Sequence, residues 1–268
     1  MNQFKSDYFV FDGIDSEEMG IMMCTIGDSA EDLVFGLNRT VNQFNSIGDI
    51  KILKNISNEY HTFSITLTKV DTLVNGKKVL GKFTPQELSF IQKWLFKNEY
   101  KPFVPKNEDN SLIYYVLFTG ESGFLNDAKQ GYLTFTMSVY PYAYREITFN
   151  KIIVEEGENK CSILNDTNIE GRSSVDIIVN MGLGDNISIV NITNNTKFSI
   201  SNMEKGQSFI AHGLQQYIEN KSNNEDNLYS LSEKSFIELN SGRNDFVIEL
   251  TKGRAEVIFK YQTKMAIY

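Results

Sequence analysis

The sequence predicts a mainly β protein of two domains: an amino-terminal α+β domain over residues 1–149, in which one helix covers a sheet, and a carboxy-terminal β-sandwich over residues 150–268. Three observations predict this fold class. The first half contains strands that alternate apolar and polar residues, it also contains one capped amphipathic helix, and the second half contains short β-rich runs separated by turn residues. A chain of 268 residues, 41% of them hydrophobic, can bury a core in each domain.

The amino-terminal stretch has the pattern of strands joined by a turn that two glycines bound. Tyr8–Phe11 is a short apolar run, and Gly13 and Gly20 frame an acidic bend at residues 15–18. Glycine readily adopts the positive φ angles of tight turns, so these two glycines predict a hairpin-like excursion between strands. Thr25–Asn45 has no stable period and predicts no defined element.

A further strand is predicted at His61–Val70, where apolar residues alternate with hydroxyl residues. The apolar set comprises Phe63, Ile65 and Leu67, and the hydroxyl set comprises Thr62, Ser64, Thr66 and Thr68. This alternation predicts one buried face and one solvated face.

One helix is predicted to begin after Thr84. Thr84 suits the N-cap, Pro85 suits the first helical position, and Glu87 completes a capping box three residues after the cap. The apolar residues that follow recur at helical spacing: Leu88, Ile91, Trp94 and Leu95. The helix is therefore expected to pack against a sheet, with the single tryptophan of the chain as a core anchor.

The segment after the helix is predicted to return to the sheet. Pro102 and Pro105 predict an extended link, Asn107–Asn110 a polar turn, Leu112–Thr119 a strand and Gly120–Gln130 a loop. The proline rings fix the backbone φ angle, which favours an extended conformation for this link.

The clearest strand of the first half lies within Gly131–Tyr144. Its apolar residues, predicted to face the core, are Leu133, Phe135, Met137 and Val139, and the residues between them are Thr134, Thr136 and Ser138. Pro141 is predicted to end the strand. Tyr142 and Tyr144 are expected to pack where the chain leaves the first domain.

The second half reads as an all-β domain without a helix. Its predicted strands are Ile152–Val154, Ser162–Leu164, Val175–Val179, Ile187–Ile192, Lys197–Ile200, Phe209–Ala211, Phe236–Leu239, Phe246–Leu250 and Ala255–Tyr261. Turn residues separate them at residues 182–185, 194–195 and 241–244. Gln215–Ser232, which is rich in Asn and Ser, is predicted to be a mobile loop.

Residues suited to catalysis or metal binding are sparse. The only histidines are His61 and His212, one in each predicted domain, and the only cysteines are Cys24 and Cys161, also in different halves. Because none has a ligand partner at a spacing that fixes geometry, no catalytic, cofactor-binding or metal residue is predicted, and the cysteines are interpreted as buried free thiols.

The net charge of −8 is divided equally at residue 149, with fourteen basic and eighteen acidic residues before the division and twelve and sixteen after it. Neither half has the excess of basic residues typical of nucleic-acid binding, so no nucleic acid is expected as a partner. No apolar segment suggests a secretion signal or a membrane span, so the chain is expected to remain in the cytoplasm where it is made.

Carboxylates are abundant, but the sequence does not bring them together. Glu17-Glu18, Glu108-Asp109 and Glu155-Glu156 are adjacent pairs, whereas a glycosidase needs carboxylates that converge from different elements. The nearest approach to a serine-hydrolase elbow, Gly120-Glu121-Ser122-Gly123, has the wrong spacing. These groups are interpreted as solvated turn residues, and the chain is not predicted to be an enzyme.

Three segments resemble the distal tail protein (Dit) family of long-tailed bacteriophages. They are the amino-terminal FVFDGIDSEEMGI, the KWL of the predicted helix, and the PYAY at residues 141–144. The resemblance covers residues 1 to about 150. It implies a galectin-like fold for the second domain, a ring-forming role for the first, and a second domain that projects outward.

The same resemblance implies a structural hub at the virion tail tip, assembled in the host cytoplasm. Such a hub would be a homo-hexamer that joins the tail tube protein to tail-associated or tail-fibre proteins and to baseplate proteins. A second hypothesis is a host-surface carbohydrate-binding module, which would expose aromatic side chains on one face of the second domain. A third, a cell-wall hydrolase, requires a catalytic constellation that the sequence does not display.

Overall fold

The computed structural model describes residues 6–24, 39–45, 51–74, 77–106, 112–126, 131–183, 185–222, 228–233 and 235–267. The chain forms two compact units, one of residues 1–145 and 266–268 and one of residues 146–265. The sequence placed the boundary at residue 149, and it assigned Ile267 to the second domain. Ile267 is instead buried in the core of the first unit, which a strand pattern alone does not reveal.

The first unit consists of antiparallel strands and one helix. The elements are β1 (Phe9–Phe11), β2 (Ile14–Asp15), β3 (Ile21–Cys24), β4 (Arg39–Asn45), β5 (Lys51–Asn58), β6 (His61–Val74), β7 (Lys77–Gly81), α1 (Pro85–Leu95), β8 (Lys101–Pro105), β9 (Ile113–Asn126) and the first part of β10 (Gly131–Asn165). The main sheet of this unit has the strand order β2-β1-β8-β9-β10-β6-β3, with β7 also paired to β6. β4 and β5 form a separate two-stranded sheet.

The core of the first unit lies between this sheet and α1, as the sequence predicts. Within the helix, Ile91, Trp94 and Leu95 are buried, and the capping box of Thr84 and Glu87 is present. The Trp94 indole Nε1 donates a hydrogen bond of 3.0 Å to the carbonyl oxygen of Phe11. The tryptophan is therefore a core anchor whose one polar atom is satisfied.

The two predicted alternating strands also lie in this core. In β10 and β6 the paired residues Phe135 and Ile65 are both buried, and the neighbouring apolar residues on the same face are buried with them. One detail of the prediction is wrong: Thr68, expected on the solvated face, is buried. Its hydroxyl donates to the carbonyl oxygen of Gly131 at 2.9 Å, which satisfies the buried group.

Pro141 does not end the strand as predicted. β10 continues through it, and its pairing with β9 shifts register between Val139 and Ala143 before it resumes with Ala143 opposite Tyr114. Because proline lacks an N–H, it interrupts the ladder locally, and the irregularity absorbs this loss without terminating the strand.

The predicted extended link is likewise a strand. Pro102 and Pro105 both lie in β8, which pairs with β1 on one side and β9 on the other. Pro102 donates nothing to the ladder, but its carbonyl oxygen accepts a 3.0 Å hydrogen bond from the backbone N–H of Asp12. The carbonyl group of a proline can thus accept a hydrogen bond although the residue has no N–H to donate.

Two other predictions for the first half have different outcomes. The predicted loop at Gly120–Gln130 is wrong for residues 120–126, which extend β9, while the predicted turn Asn107–Asn110 lies outside the described residues. The amino-terminal turn is confirmed, since Gly13 and Gly20 have φ angles of 78° and 65°.

The second unit contains the rest of the strands and a short 3-10 helix. The strands are the second part of β10, then β11 (Arg172–Ser174), β12 (Asp176–Leu183), β13 (Ile187–Asn191), β14 (Thr196–Ile200), β15 (Ser208–His212), β16 (Tyr217–Asn220), β17 (Glu238–Asn240) and β18 (Gly242–Ala266). β18 turns at Gly253, where φ is 79°, so that residues 246–250 pair with β13 and residues 254–260 pair with β12. The mainly β fold class is confirmed, and the galectin-like detail stays a prediction.

A continuous apolar core and a network of asparagine side chains hold the second unit together. The core includes Ile189, Phe198 and Phe246, all at most 1% exposed. At the strand ends, the Asn191 side chain donates to the side-chain oxygen of Asn244 at 3.1 Å. These amides satisfy backbone groups of the turns that an apolar core cannot satisfy.

The predicted mobile loop at Gln215–Ser232 is wrong over two of its parts. It contains β16, which pairs with β15, and the 3-10 helix Leu228–Leu231, whose Leu228 is buried. Polar composition suggested a loop, but a four-residue strand such as β16 leaves little periodicity to detect. The strand β11 was also not predicted.

Candidate functional site

The β4–β5 hairpin is the part of the first unit that does not pair with the main sheet. Its strands pair with each other, with Arg39 opposite Asn58 and Val41 opposite Ile56, and with no other described strand. The side chains of residues 39–43 are all exposed. A two-stranded hairpin is at best marginally stable in water, so this one is expected to gain stability from a partner surface.

One face of the hairpin carries an aliphatic pair next to the pair Arg39 and Asn58, and the other face is polar. Val41 and Ile56 share a face because they are opposite each other, and they are 50% and 48% exposed. The residues of the other face are Thr40, Asn42, Asn55 and Ser57. An antiparallel ribbon of this kind normally buries its apolar face, whereas about half of the surface of Val41 and of Ile56 is exposed here.

The hairpin is not predicted by the sequence, for a local reason. Thr25–Asn45 was predicted to have no defined element; residues 25–38 lie outside the described residues, but the remainder is β4. The pairing shifts register between Asn42 and Gln43, and such a bulge breaks the two-residue period. The alternation of Val41 with polar neighbours was the available signal.

An apolar groove lies beside α1 on the same unit. It has a volume of about 250 Å³, and its lining residues are Met19, Ile21, Lys69, Phe83, Gln86, Glu87, Phe90 and Ile91. Met19 and Phe90 are 42% and 39% exposed, so the apolar wall of the groove is open to solvent. Gln86 and Phe90 are four residues apart and therefore lie on one side of the helix.

The polar rim of the groove is an ion-pair cluster around Lys69. The Lys69 ammonium lies 2.9 Å from a carboxylate oxygen of Glu87 and 3.1 Å from one of Asp71. Hydrogen bonds to Glu87 and Asp71 raise the pKa of Lys69. Burial alone would raise the pKa of Glu87, but hydrogen bonds from Thr84 and Lys69 outweigh it and lower that pKa. Two carboxylates thus face one cation, which leaves an excess negative charge.

A cluster of tyrosines lies on the first unit and includes Tyr144, which is predicted to pack where the chain leaves the first domain. The Tyr100 ring packs against Tyr60 and Tyr140, with centroids 5.4 and 4.5 Å away. Tyr144 packs edge-on against Tyr115 at 5.5 Å. These contacts show that Tyr144 packs against other aromatic residues near the end of the unit, as predicted.

Tyr142 connects this region to the hairpin. Its hydroxyl oxygen accepts a hydrogen bond from the Asn58 side chain at the base of β5. The hairpin is therefore anchored at one end to its own unit, while its apolar pair remains exposed.

The two histidines differ in their surroundings. His61 is 3% exposed and stacks on Phe63 at 5.8 Å, and burial lowers its pKa. His212 lies between two carboxylates, with Nδ1 3.5 Å from Asp176 and Nε2 3.2 Å from Glu219. Because these carboxylates contact opposite edges of the ring, they do not converge on one point. Among the described residues, no group of three His, Cys, Asp or Glu is placed to hold a metal ion.

The remaining sequence candidates are dispersed. Glu17 pairs with Lys106, and a Glu156 carboxylate oxygen accepts from the backbone N–H of Gly253 at 3.3 Å. Glu108-Asp109 lies outside the described residues, and residues 120–123 belong to β9. Both thiols are free, as interpreted, but they are half-buried and not fully buried; partial burial raises the pKa of Cys24 and of Cys161 to about 11. Those of these groups that the structure describes are not brought together into a catalytic arrangement.

No helix in the described part of the chain combines the length and apolar character that a membrane span requires.

Comparison with known proteins identifies relatives among phage proteins. The SPbeta prophage-derived uncharacterized protein YomH of Bacillus subtilis strain 168 is 26% identical over 192 residues, which cover 70% of this chain and 71% of YomH. The crystal structure of the SPP1 Dit protein (gp 19.1), described as a paradigm of the hub adsorption apparatus in phages infecting Gram-positive bacteria, matches with a TM-score of 0.63 at 10% identity. That match covers 95% of this chain and 98% of SPP1 Dit.

A chain of the phage P2 baseplate in its activated conformation is also similar, with a TM-score of 0.47 at 10% identity over 97% of this chain and 98% of that chain. The fold of SPP1 Dit confirms the predicted resemblance to distal tail proteins at the level of architecture. The family model for the phage tail protein N-terminal domain matches residues 4–139, half of the chain. The chain therefore belongs to the family of phage tail proteins that carry this N-terminal domain.

Proposed function

We propose that this chain is the hub of a phage tail tip, a structural protein that closes into a homo-hexameric ring through its first unit. In this role it joins the tail tube protein to the tail-associated and baseplate proteins at the end of the virion. The family membership and the fold shared with SPP1 Dit support a place in the tail. We further propose that residues 1–149 form the ring-building domain and residues 150–268 a domain that serves outer partners.

The observation that carries the proposal is the half-exposed aliphatic pair on one face of the β4–β5 hairpin. Val41 and Ile56 present a paired aliphatic surface on a ribbon whose other face is polar. A closed ring buries such a surface against the neighbouring copy, since cyclic assemblies join unlike surfaces head to tail. No catalytic arrangement among the described residues competes with this interpretation.

The mass of the purified chain in solution tests the proposal. We expect light scattering over a range of concentrations to detect a species of about six times 30.6 kDa. Addition of the tail tube protein would provide a template if the ring forms slowly. A chain that remains monomeric at high concentration, with and without tube protein, would contradict the hub proposal.

A second candidate function is favoured by one observation in the second unit. Tyr217 is 46% exposed and stacks on His212 with ring centroids 4.4 Å apart, beside the carboxylates of Asp176 and Glu219. An exposed aromatic ring beside hydrogen-bonding groups suits the apolar face and hydroxyls of a sugar. Binding of host-surface glycans that is lost in Tyr217→Ala would support this function, and silence of the unaltered chain on a glycan array would exclude it.

A further inference from the structure

A ring of identical copies requires two different surfaces on each copy, one that inserts and one that receives. The first unit offers one surface of each kind. The β4–β5 hairpin presents a ribbon with a half-exposed aliphatic pair. The groove beside α1, whose volume is about 250 Å³, presents a concave apolar surface. Both surfaces are open in the single chain.

We infer that the apolar face of the β4–β5 hairpin of one copy docks in the α1 groove of a second copy. This inference rests on the proposed ring, and it specifies which two surfaces meet. The occupant of the groove is thus a defined segment of the same chain, with Val41 and Ile56 inserted beside Phe90 and Ile91.

The sizes of the two surfaces agree. A protein cavity of roughly 150 Å³ lined by apolar residues can bind a molecule as large as benzene. The α1 groove, at about 250 Å³, has room for two aliphatic side chains of the hairpin. Its exposed apolar residues, Met19 and Phe90, would lose water contact when Val41 and Ile56 enter.

The charges of the two surfaces are also complementary. The described hairpin residues, 39–45 and 51–58, include three basic residues and no acidic one, in a chain whose net charge is −8. Arg39 and Lys54 are exposed. Glu87 lines the groove, and both it and the nearby Asp71 pair with Lys69, so these two carboxylates exceed the one cation they share and favour a basic ribbon.

The hairpin is anchored at its base by Asn58, which lies on the same face as Val41 and Ile56, but that aliphatic pair remains half exposed. The Asn58 side chain donates to Tyr142 at the hairpin base, whereas the Val41–Ile56 pair lies two residues further along β5 and is about half exposed. The base of the hairpin is therefore fixed on its own unit, and the apolar pair is presented to solvent.

Crosslinking of introduced cysteines on the full chain tests the inference. One preparation carries Ile56→Cys, a second carries Gln86→Cys in the groove, and the two are mixed under assembly conditions with a short bismaleimide. Gln92→Cys replaces Gln86→Cys in a matched control, because Gln92 is exposed on the same helix but does not line the groove. The unaltered chain controls for the natural thiols, whose raised pKa keeps them protonated at neutral pH.

We expect the Ile56→Cys and Gln86→Cys mixture to give a covalent dimer in several-fold higher yield than the Ile56→Cys and Gln92→Cys mixture. Equal yields, or a dimer formed only between two Ile56→Cys chains, would overturn the inference. Light scattering of the same mixtures separates the two levels: assembly without selective crosslinking removes only the docking inference, whereas absence of assembly removes the proposed ring as well.

Discussion

Two hairpins of this molecule, β4–β5 in the first unit and β13–β14 in the second, have similar pairing but different surroundings. Both are antiparallel ribbons with apolar residues on one face. In β13–β14 that face is at most 1% exposed, and its residues are Ile187, Ile189, Phe198 and Ile200. In β4–β5 the corresponding face, Val41 and Ile56, is about half exposed.

The difference shows that local pattern and burial are separate properties. The β13–β14 ribbon pairs with β18 and joins a continuous core, which supplies both its edge partner and its cover. The β4–β5 ribbon has no edge partner among the described strands, and its aliphatic pair is only half covered. A ribbon whose aliphatic pair is only half covered is a surface expected to gain a cover by assembly.

The largest predicted effect contrasts two identical substitutions, one in each hairpin. Ile189→Ala should lower the free energy of unfolding by about 2–5 kcal/mol, because it removes a fully buried side chain and leaves a cavity. Ile56→Ala should change that free energy by less than about 0.5 kcal/mol in the monomer. Urea titration at a dilution where the chain is monomeric measures both, and similar losses would show that the two hairpins are equally covered.

The next prediction places a charge on either face of the exposed hairpin. Ile56→Asp should raise the concentration needed for assembly by at least about tenfold, equivalent to about 1.4 kcal/mol, because the docked face would bury an unpaired carboxylate. Thr40→Asp, on the polar face of the same ribbon, is the matched control and should have a much smaller effect. Sedimentation velocity across a dilution series measures both, and equal shifts would contradict a one-sided contact.

A smaller effect is expected at the helix that forms the wall of the groove. The Glu87 backbone N–H donates to the Thr84 hydroxyl at 3.3 Å, so Thr84→Ala removes the cap and should cost about 1 kcal/mol of stability in the first unit. Thr84→Ser should retain most of this stability, since serine caps equally well. Chemical denaturation followed by Trp94 fluorescence reports on this unit alone, and no difference between the two variants would contradict the capping role.

The smallest effects concern one thiol in each unit. Burial raises the pKa of Cys24 and Cys161 to about 11, and the Asp245 charge adds to the effect at Cys161. The folded state thus favours the protonated thiols, a contribution that is present below about pH 9 and lost as the pH rises toward 11. Alkylation at pH 8 should be slow at both thiols, and Asp245→Asn should speed it only at Cys161; rapid alkylation of both would contradict their burial.

The sequence predicted best where the signal is local and unbroken. The capping box at Thr84 and Glu87 lies within four residues, and the alternation of β10 before Pro141 is continuous, so helix and strand were both predicted correctly. The β13–β14 hairpin was predicted for the same reason. The β4–β5 hairpin was missed because its bulge after Asn42 breaks the period.

The candidate surfaces depend on contacts between residues far apart in the chain. The spacing of apolar residues along the sequence does not predict such contacts. Met19, Lys69 and Phe90 line one groove although they come from three separate elements. Likewise, His212 looked isolated in the sequence, yet folding places it between Asp176 and Glu219. The resemblance of three sequence segments to a known family predicted a phage tail protein, but only the fold shows which faces remain exposed.

The most direct test of the central claim is hydrogen–deuterium exchange of the β4–β5 amides as a function of protein concentration. If a second copy covers the hairpin, the amides of residues 39–45 and 51–58 should exchange quickly in the dilute monomer and become protected in the assembly, while those of β13–β14 stay protected in both. Exchange of the β4–β5 amides at the same rate in monomer and assembly would contradict the claim that assembly covers this hairpin.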